Sequence, residues 1–148
     1  MIIITHRVAG IVAILTIACF WLATVFSELF ATEAAVIAVK TAIPWGFLLL
    51  IPALVAAGGS GVSLAKGRRA GRVGTKRKRM PILAANGLLV LMPAAFFLAF
   101  KAQSHAFDAG FYIVQFVELT AGAVNLVLLG LNMRDGMAMA GRLRRRPA

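Results

Sequence analysis

The sequence predicts an all-α integral membrane protein, a bundle of four transmembrane helices with both termini on the cytoplasmic side. Three observations predict it. Of the 148 residues 61% are hydrophobic and 14% charged, with a mean hydropathy of +0.89, against ~45–50% apolar and ~25% charged in an ordinary soluble domain. Charged residues divide the chain into four long apolar stretches. The basic residues gather at one end of those stretches. Together these features exclude a soluble enzyme, a disordered tail and a disulfide scaffold, and the lone Cys19 excludes a two-cysteine redox relay within one chain.

The expected spans are about 8–30, 41–65, 80–100 and 109–133, and their charge-free cores run 20 to 25 residues. That length suits the ~20 residues a helix needs to cross ~30 Å of hydrocarbon. The first stretch is too long and lacks a small-x-small end, so it reads as a retained span and not a removed leader. Pro81 opens the third at a first-turn position, where a missing donor costs nothing.

Lys66, Arg68, Arg69, Arg72, Lys76, Arg77, Lys78 and Arg79 crowd the 66–79 loop, and Arg134, Arg142, Arg144, Arg145 and Arg146 crowd the 134–148 tail. Both segments are therefore expected in the cytoplasm. A strong bias of this kind argues against a dual-topology multidrug transporter. The net charge of +11 then marks topology and contact with anionic membrane lipids, and it carries no implication of nucleic acid. The first connection, with Glu33 and Lys40, and the third, with Lys101, His105 and Asp108, are expected on the outer side. The expected location is a bacterial-type inner (cytoplasmic) membrane.

All thirteen aromatics and four of the five acids (Glu28, Glu33, Asp108, Glu118) fall in the outer halves of the spans or the outer connections. Small residues dominate the inner half, where Ala53, Ala57, Gly61 and Ala65 recur every four residues and permit close helix approach. Two readings follow, an ordinary interfacial aromatic belt or an outward-facing pocket with Glu28, Trp45 and Tyr112.

The fourth span carries the costliest residue, Glu118, about ten residues from its start. An ionised carboxylate at such depth costs ~2.5–3.5 kcal/mol or more unless it is paired, protonated or wet. Gln115, Glu118, Gly122, Asn125, Leu129 and Asn132 share one face at heptad spacing. This seam has to face the bundle interior or another subunit. It reads either as interhelical glue, at ~0.6–2 kcal/mol per bond, or as a ligand, proton or ion site at Glu118 and Gln115. Asn86 is a partner candidate for Asn125 or Asn132. Glu28 either pairs at the outer interface with Lys40 or Lys101 or turns inward toward Glu118.

At the inner edge, Thr5-His6-Arg7-Val8-Ala9-Gly10 resembles the Ser-His-Arg-x-x-Gly segment that opens the first helix of succinate dehydrogenase membrane-anchor subunits. The resemblance covers six residues and implies a quinone pocket in which Thr5 and Arg7 take part. The family departs from this chain in having three helices per anchor subunit and a haem-ligating histidine on the second, absent between Thr41 and Ala65. Imidazole with a thioether can also hold haem b, and His6 as iron ligand has Met80, Met133, Met137 and Met139 on its side of the membrane. His105, on the other side, reads as a solvated loop residue. No helix carries two histidines, and no phosphate-cradling, zinc or nucleophile-base pattern appears.

The leading expectation is a small membrane protein that binds a lipophilic redox molecule, haem b or quinone, or serves as membrane partner of a redox complex. A proton- or cation-coupled transporter using Glu118 and a purely structural accessory subunit are the alternatives. A homo-oligomer or a membrane-complex subunit is expected. The orientation is directly testable: reporter fusions after Ala148 and within 68–78 should read cytoplasmic, and fusions near Glu33 or His105 periplasmic. A periplasmic C-terminus would reverse every side assigned above.

Overall fold

The computed structural model describes residues 1–65 and 71–144, with side chains described for 1–64, 78–138 and 141. Most side chains of the basic 66–79 and 134–148 segments thus lie outside the described residues, while the backbone of 71–79 and 134–144 is helical and belongs to no loop. The described chain is helical throughout apart from short connections and contains no strand. Helix α1 runs Ile2–Phe30, α2 Glu33–Ala65, α3 Gly71–Asn86, α4 Met92–Gln103 and α5 Ala109–Arg144. A five-residue π-helical turn, Gly87–Leu91, joins α3 to α4 into one continuous span. Four segments are long and apolar enough to cross a membrane: Ile2–Phe30, Glu33–Leu64, Lys78–Gln103 and Ala109–Ala138.

The helices outrun the charge-free cores because a backbone inside a bilayer has no partner except its own chain, so the hydrogen-bond ladder continues past the first charged residue. The consequence is largest in α2. Lys40 lies in its third turn and not in the outer connection, which is cut to residues 31–32.

Prolines interrupt the ladder without ending the spans. Pro44 removes the N–H that the Lys40 carbonyl would accept, and Pro93 removes the one due to Leu89. The second gap falls where the helix widens into the π turn, which gives that distortion an identifiable cause.

The spans pack as a ring in chain order: α1 on α2, α2 on α4, α4 and α3 on α5, and α5 back on α1. Helices α2 and α5 face one another across the diagonal. Two apolar clusters fill the interior. Ala13, Ile17, Leu50 and Ala53 form one, flanked by Phe20, Phe47, Leu126 and Leu129. Val36, Leu98, Ala102 and Phe111 form the other and close the end that carries the 31–32 and 104–108 connections, called outer after the expected orientation.

Consecutive aromatics on α1 set its distance from both neighbours. The Phe20 ring occupies the space a side chain at Gly46 of α2 would need, and Trp21 lies where a Cβ at Gly122 of α5 would meet its ring at 2.9 Å. Trp21 also donates its indole N–H to the Leu119 carbonyl at 2.9 Å. About 100° of rotation per residue in a helix points adjacent side chains to different neighbours. The small stripe on α2 works the same way at the inner end, where Gly61 receives the His6 ring at 3.2 Å from its would-be Cβ.

Candidate functional site

A buried charge cluster lies in the outer half of the interior. Lys40 is 1% exposed, and its Nζ donates to Glu118 Oε2 at 2.6 Å and to Thr24 Oγ1 at 3.4 Å. Gln115, 5% exposed, donates its Nε2 to the same Glu118 oxygen at 3.4 Å. Glu28, on α1 one turn beyond Thr24, is close enough to interact electrostatically with both Lys40 and Glu118. Its buried Oε1 has no hydrogen-bond partner among the described residues, and neither has Gln115 Oε1. Lys40 of α2 and Glu118 of α5 thus meet inside the bundle, with the half-buried Glu28 of α1 within electrostatic reach of both.

The local sequence accounts for this placement. Val36, Lys40, Ile43, Leu50, Ala53 and Ser60 are the buried positions of α2 among the described residues, so the lysine occupies a slot in a mostly apolar stripe. On α5, Phe111, Gln115, Asn125 and Asn132 are buried on the face that carries Glu118, as the heptad seam predicts. Glu28 is half-buried within electrostatic reach of Lys40 and Glu118, and the pairing with Lys101 is replaced by a different arrangement.

Lys101 instead donates to Asp108 Oδ2 at 2.5 Å. Asp108 also accepts the Phe111 backbone N–H at 3.0 Å, capping α5. The Lys101 hydrogen bond, then the Phe111 one, hold the Asp108 carboxyl below its ordinary range. His105, at a positive φ of 51°, pairs with Glu33 at 2.8 Å on the exposed outer surface.

Trp45 and Tyr112 are 71% and 53% exposed. Both lie on the exposed outside of the bundle, whereas the Glu28 Oε1 they were grouped with is buried. Phe26, Phe30, Phe96, Phe100 and Phe116 are exposed as well, which is the arrangement of an interfacial belt.

Below the cluster, the seam is neutral. Asn86 Nδ2 donates to Asn125 Oδ1 and to the Ala121 carbonyl, both at 2.9 Å. Asn132 Nδ2 reaches Met80 Sδ at 3.7 Å, while its buried Oδ1 has no partner among the described residues. At the inner end Arg79 pairs with Asp135 at 2.9 Å.

His6 sits between α1 and α2, with Nδ1 3.0 Å from the Ala57 carbonyl and 3.1 Å from Ser60 Oγ. A carbonyl only accepts, so Nδ1 carries the proton. Met80 lies over Gly58, one turn of α2 away. Thr5 and Arg7 are exposed, and Thr5 bonds back to the Met1 carbonyl at 3.3 Å. Met133 and Met137 are 45% and 59% exposed, and the Met139 side chain lies outside the described residues.

Sequence reasoning did not place Lys40 inside, nor pair Arg79 with Asp135. The available signal for Lys40 was its position in the stripe between Val36 and Ile43, followed four residues later by a proline. No family model, curated protein or solved structure matches the chain.

Neutral amide bonds between transmembrane helices average about 0.6 kcal/mol, reaching about 1.7. A double-mutant cycle of Asn86→Leu and Asn125→Leu in detergent-solubilised protein should give a coupling energy in that interval. A coupling near zero would remove the pair from the structural seam.

Proposed function

We propose that this chain is a small multi-pass protein of a bacterial-type cytoplasmic membrane, with both termini inside, that takes up protons at an intramembrane site centred on Glu118 and Lys40. It works as a small proton-coupled transporter or as the proton-handling subunit of a membrane complex. The observation that carries this reading is the 2.6 Å Lys40–Glu118 pair, 1% exposed on the lysine side, lying beside a third charge, Glu28, whose buried oxygen has no donor.

Stability alone gives little reason for such a cluster. Replacing a buried ion pair with apolar residues is often neutral or stabilising by ~1–4 kcal/mol, and the Asn86–Asn125 bond shows that this bundle can tie helices together without charge. Ionisable groups kept inside a membrane point by default to proton or ion handling.

A second reading keeps the inner edge as the site of a lipophilic redox molecule, haem b or quinone. It is favoured by an apolar groove of ≈ 480 Å³ between α1 and α2, lined by Ile4, Thr5, Val8, Leu49, Pro52 and Ala53. The Nδ1–H of His6 on the Ala57 carbonyl also orients the imidazole as in metal-bound histidines. The resemblance of Thr5 to Gly10 to the succinate dehydrogenase anchor segment belongs to this reading.

Two measurements decide. In proteoliposomes with an imposed potential and a trapped pH indicator, wild-type protein should support proton uptake. The Lys40→Met/Glu118→Met double variant should lose it while melting at or above the wild-type temperature. Uptake undiminished in the double variant would sink the proton-site reading. For the inner edge, purified protein should show a Soret band that His6→Ala abolishes, or yield a quinone on organic extraction that Arg7→Ala reduces; wild-type protein with neither retires the redox reading.

A further inference from the structure

We propose that the exchangeable proton of this site resides on Glu28, with Lys40 and Glu118 keeping opposite charges beside it. The inference rests on the proton-site reading and names the group that carries the proton.

Charge accounting is the first step. Facing the cluster are Glu28 from α1, Lys40 from α2 and Glu118 from α5. On the fourth span, Lys101 is committed to Asp108, and the surface pair Glu33 and His105 is 57% and 69% exposed. With all three inner groups ionised the cluster carries one uncompensated negative charge. An isolated charge in a low-dielectric interior is costly enough that the group neutralises.

Hydrogen bonding then selects the carboxylate. Glu118 Oε2 accepts from Lys40 at 2.6 Å and from Gln115 at 3.4 Å, and both bonds favour the ionised form. Glu28 Oε1 is buried with no donor among the described residues. Protonating Glu118 would weaken two bonds, whereas protonating Glu28 weakens none at Oε1. It also adds an O–H donor to a cluster in which Gln115 Oε1, on a side chain 5% exposed, lacks one.

A proton fits better than a metal cation. The Lys40 ammonium already supplies a positive charge and repels a second ion, and a hard cation demands several oxygens where a proton demands one. In the step itself, a hydronium ion of the outer aqueous phase gives its proton to the Glu28 carboxylate: one O–H bond forms on Glu28, one O–H bond of the hydronium breaks, and a water molecule is left behind.

The position of Glu28 sets the side of entry. It is half-buried, two residues before the outer end of α1, while Lys40 and Gln115 are deeper and nearly inaccessible. Inward, Trp21 lies against Gly122. The next hydrogen-bonded residue of the seam, Asn125, is seven residues beyond Glu118, about 10 Å along the axis. That is too far for a direct hop, so this conformation loads from outside.

Infrared titration of the full-length protein in vesicles tests the assignment. The wild-type protein should show one protonated-carboxyl C=O stretch that disappears as pH rises. Glu28→Asp should move that band, Glu118→Asp should leave it in place, and exchange of Na⁺ for choline at fixed pH should not change it. A band moved by Glu118→Asp, by both variants or by neither overturns the assignment to Glu28 and leaves the proton site standing. A band that follows Na⁺ makes the ligand a cation and overturns it too. No titrating band in wild-type protein overturns both this inference and the reading beneath it. Should Glu28→Asp fail to fold, Glu118→Asp still decides, because a moved band there refutes the proposal.

Discussion

An ammonium group with almost no exposed surface has to be matched, and the match that Lys40 finds in Glu118 organises the bundle. The two residues belong to α2 and α5, which sit across the diagonal and not side by side. Their contact ties opposite corners of the ring together, as packing of neighbouring helices alone does not. It also fixes the rotation of α5. Once Glu118 points inward, residues seven and fourteen further on share its face, so Asn125 and Asn132 are carried into the interior and must find partners there. Asn86 and Met80 provide them.

Polar chemistry is consequently layered along one helix. The Lys40–Glu118 pair occupies the outer level, amide pairing the middle, and an Arg79–Asp135 bridge closes the inner end. The layers are separated by close packing: Trp21 fills the space over Gly122, and Phe20 the space over Gly46. A side chain added at Gly122 would push the indole from its place and with it the N–H bond to Leu119. The separation matters because buried polar groups in contact polarise and exchange protons with each other, and groups a full aromatic ring apart do not. Glue and site therefore coexist in one seam, distinguished by charge state and level.

Much of the fold was legible because a bilayer imposes simple rules. Four apolar runs of the right length and the clustering of Lys and Arg give spans and an expected orientation. The inward face of α5 followed from spacing alone, and depth left Asn86 as a partner for Asn125 or Asn132, of which the structure selects Asn125. Lys40 was less legible for a physical reason: a charged residue at the edge of an apolar run looks like the end of a span, and only a partner three helices away makes it an interior residue. Glu28 was left between two partners because helix depth is readable from sequence and helix rotation is read poorly at the last turn. Trp45 and Tyr112 were grouped with it by depth, yet they lie on the exposed outside of the bundle. Depth is shared around a whole circumference, and a pocket needs a common direction.

The distribution of charge gives the arrangement a direction. Basic residues crowd the 66–79 and 134–148 segments, while the interior near the opposite end of the spans holds Glu28 and Glu118 with Lys40. Lys40 runs against the general placement of lysine in this chain, and it is tolerated because Glu118 compensates it locally. Directly beneath the cluster the interior is closed by Trp21 packed against Gly122, so the charged level and the amide level of the seam are held apart by one aromatic ring.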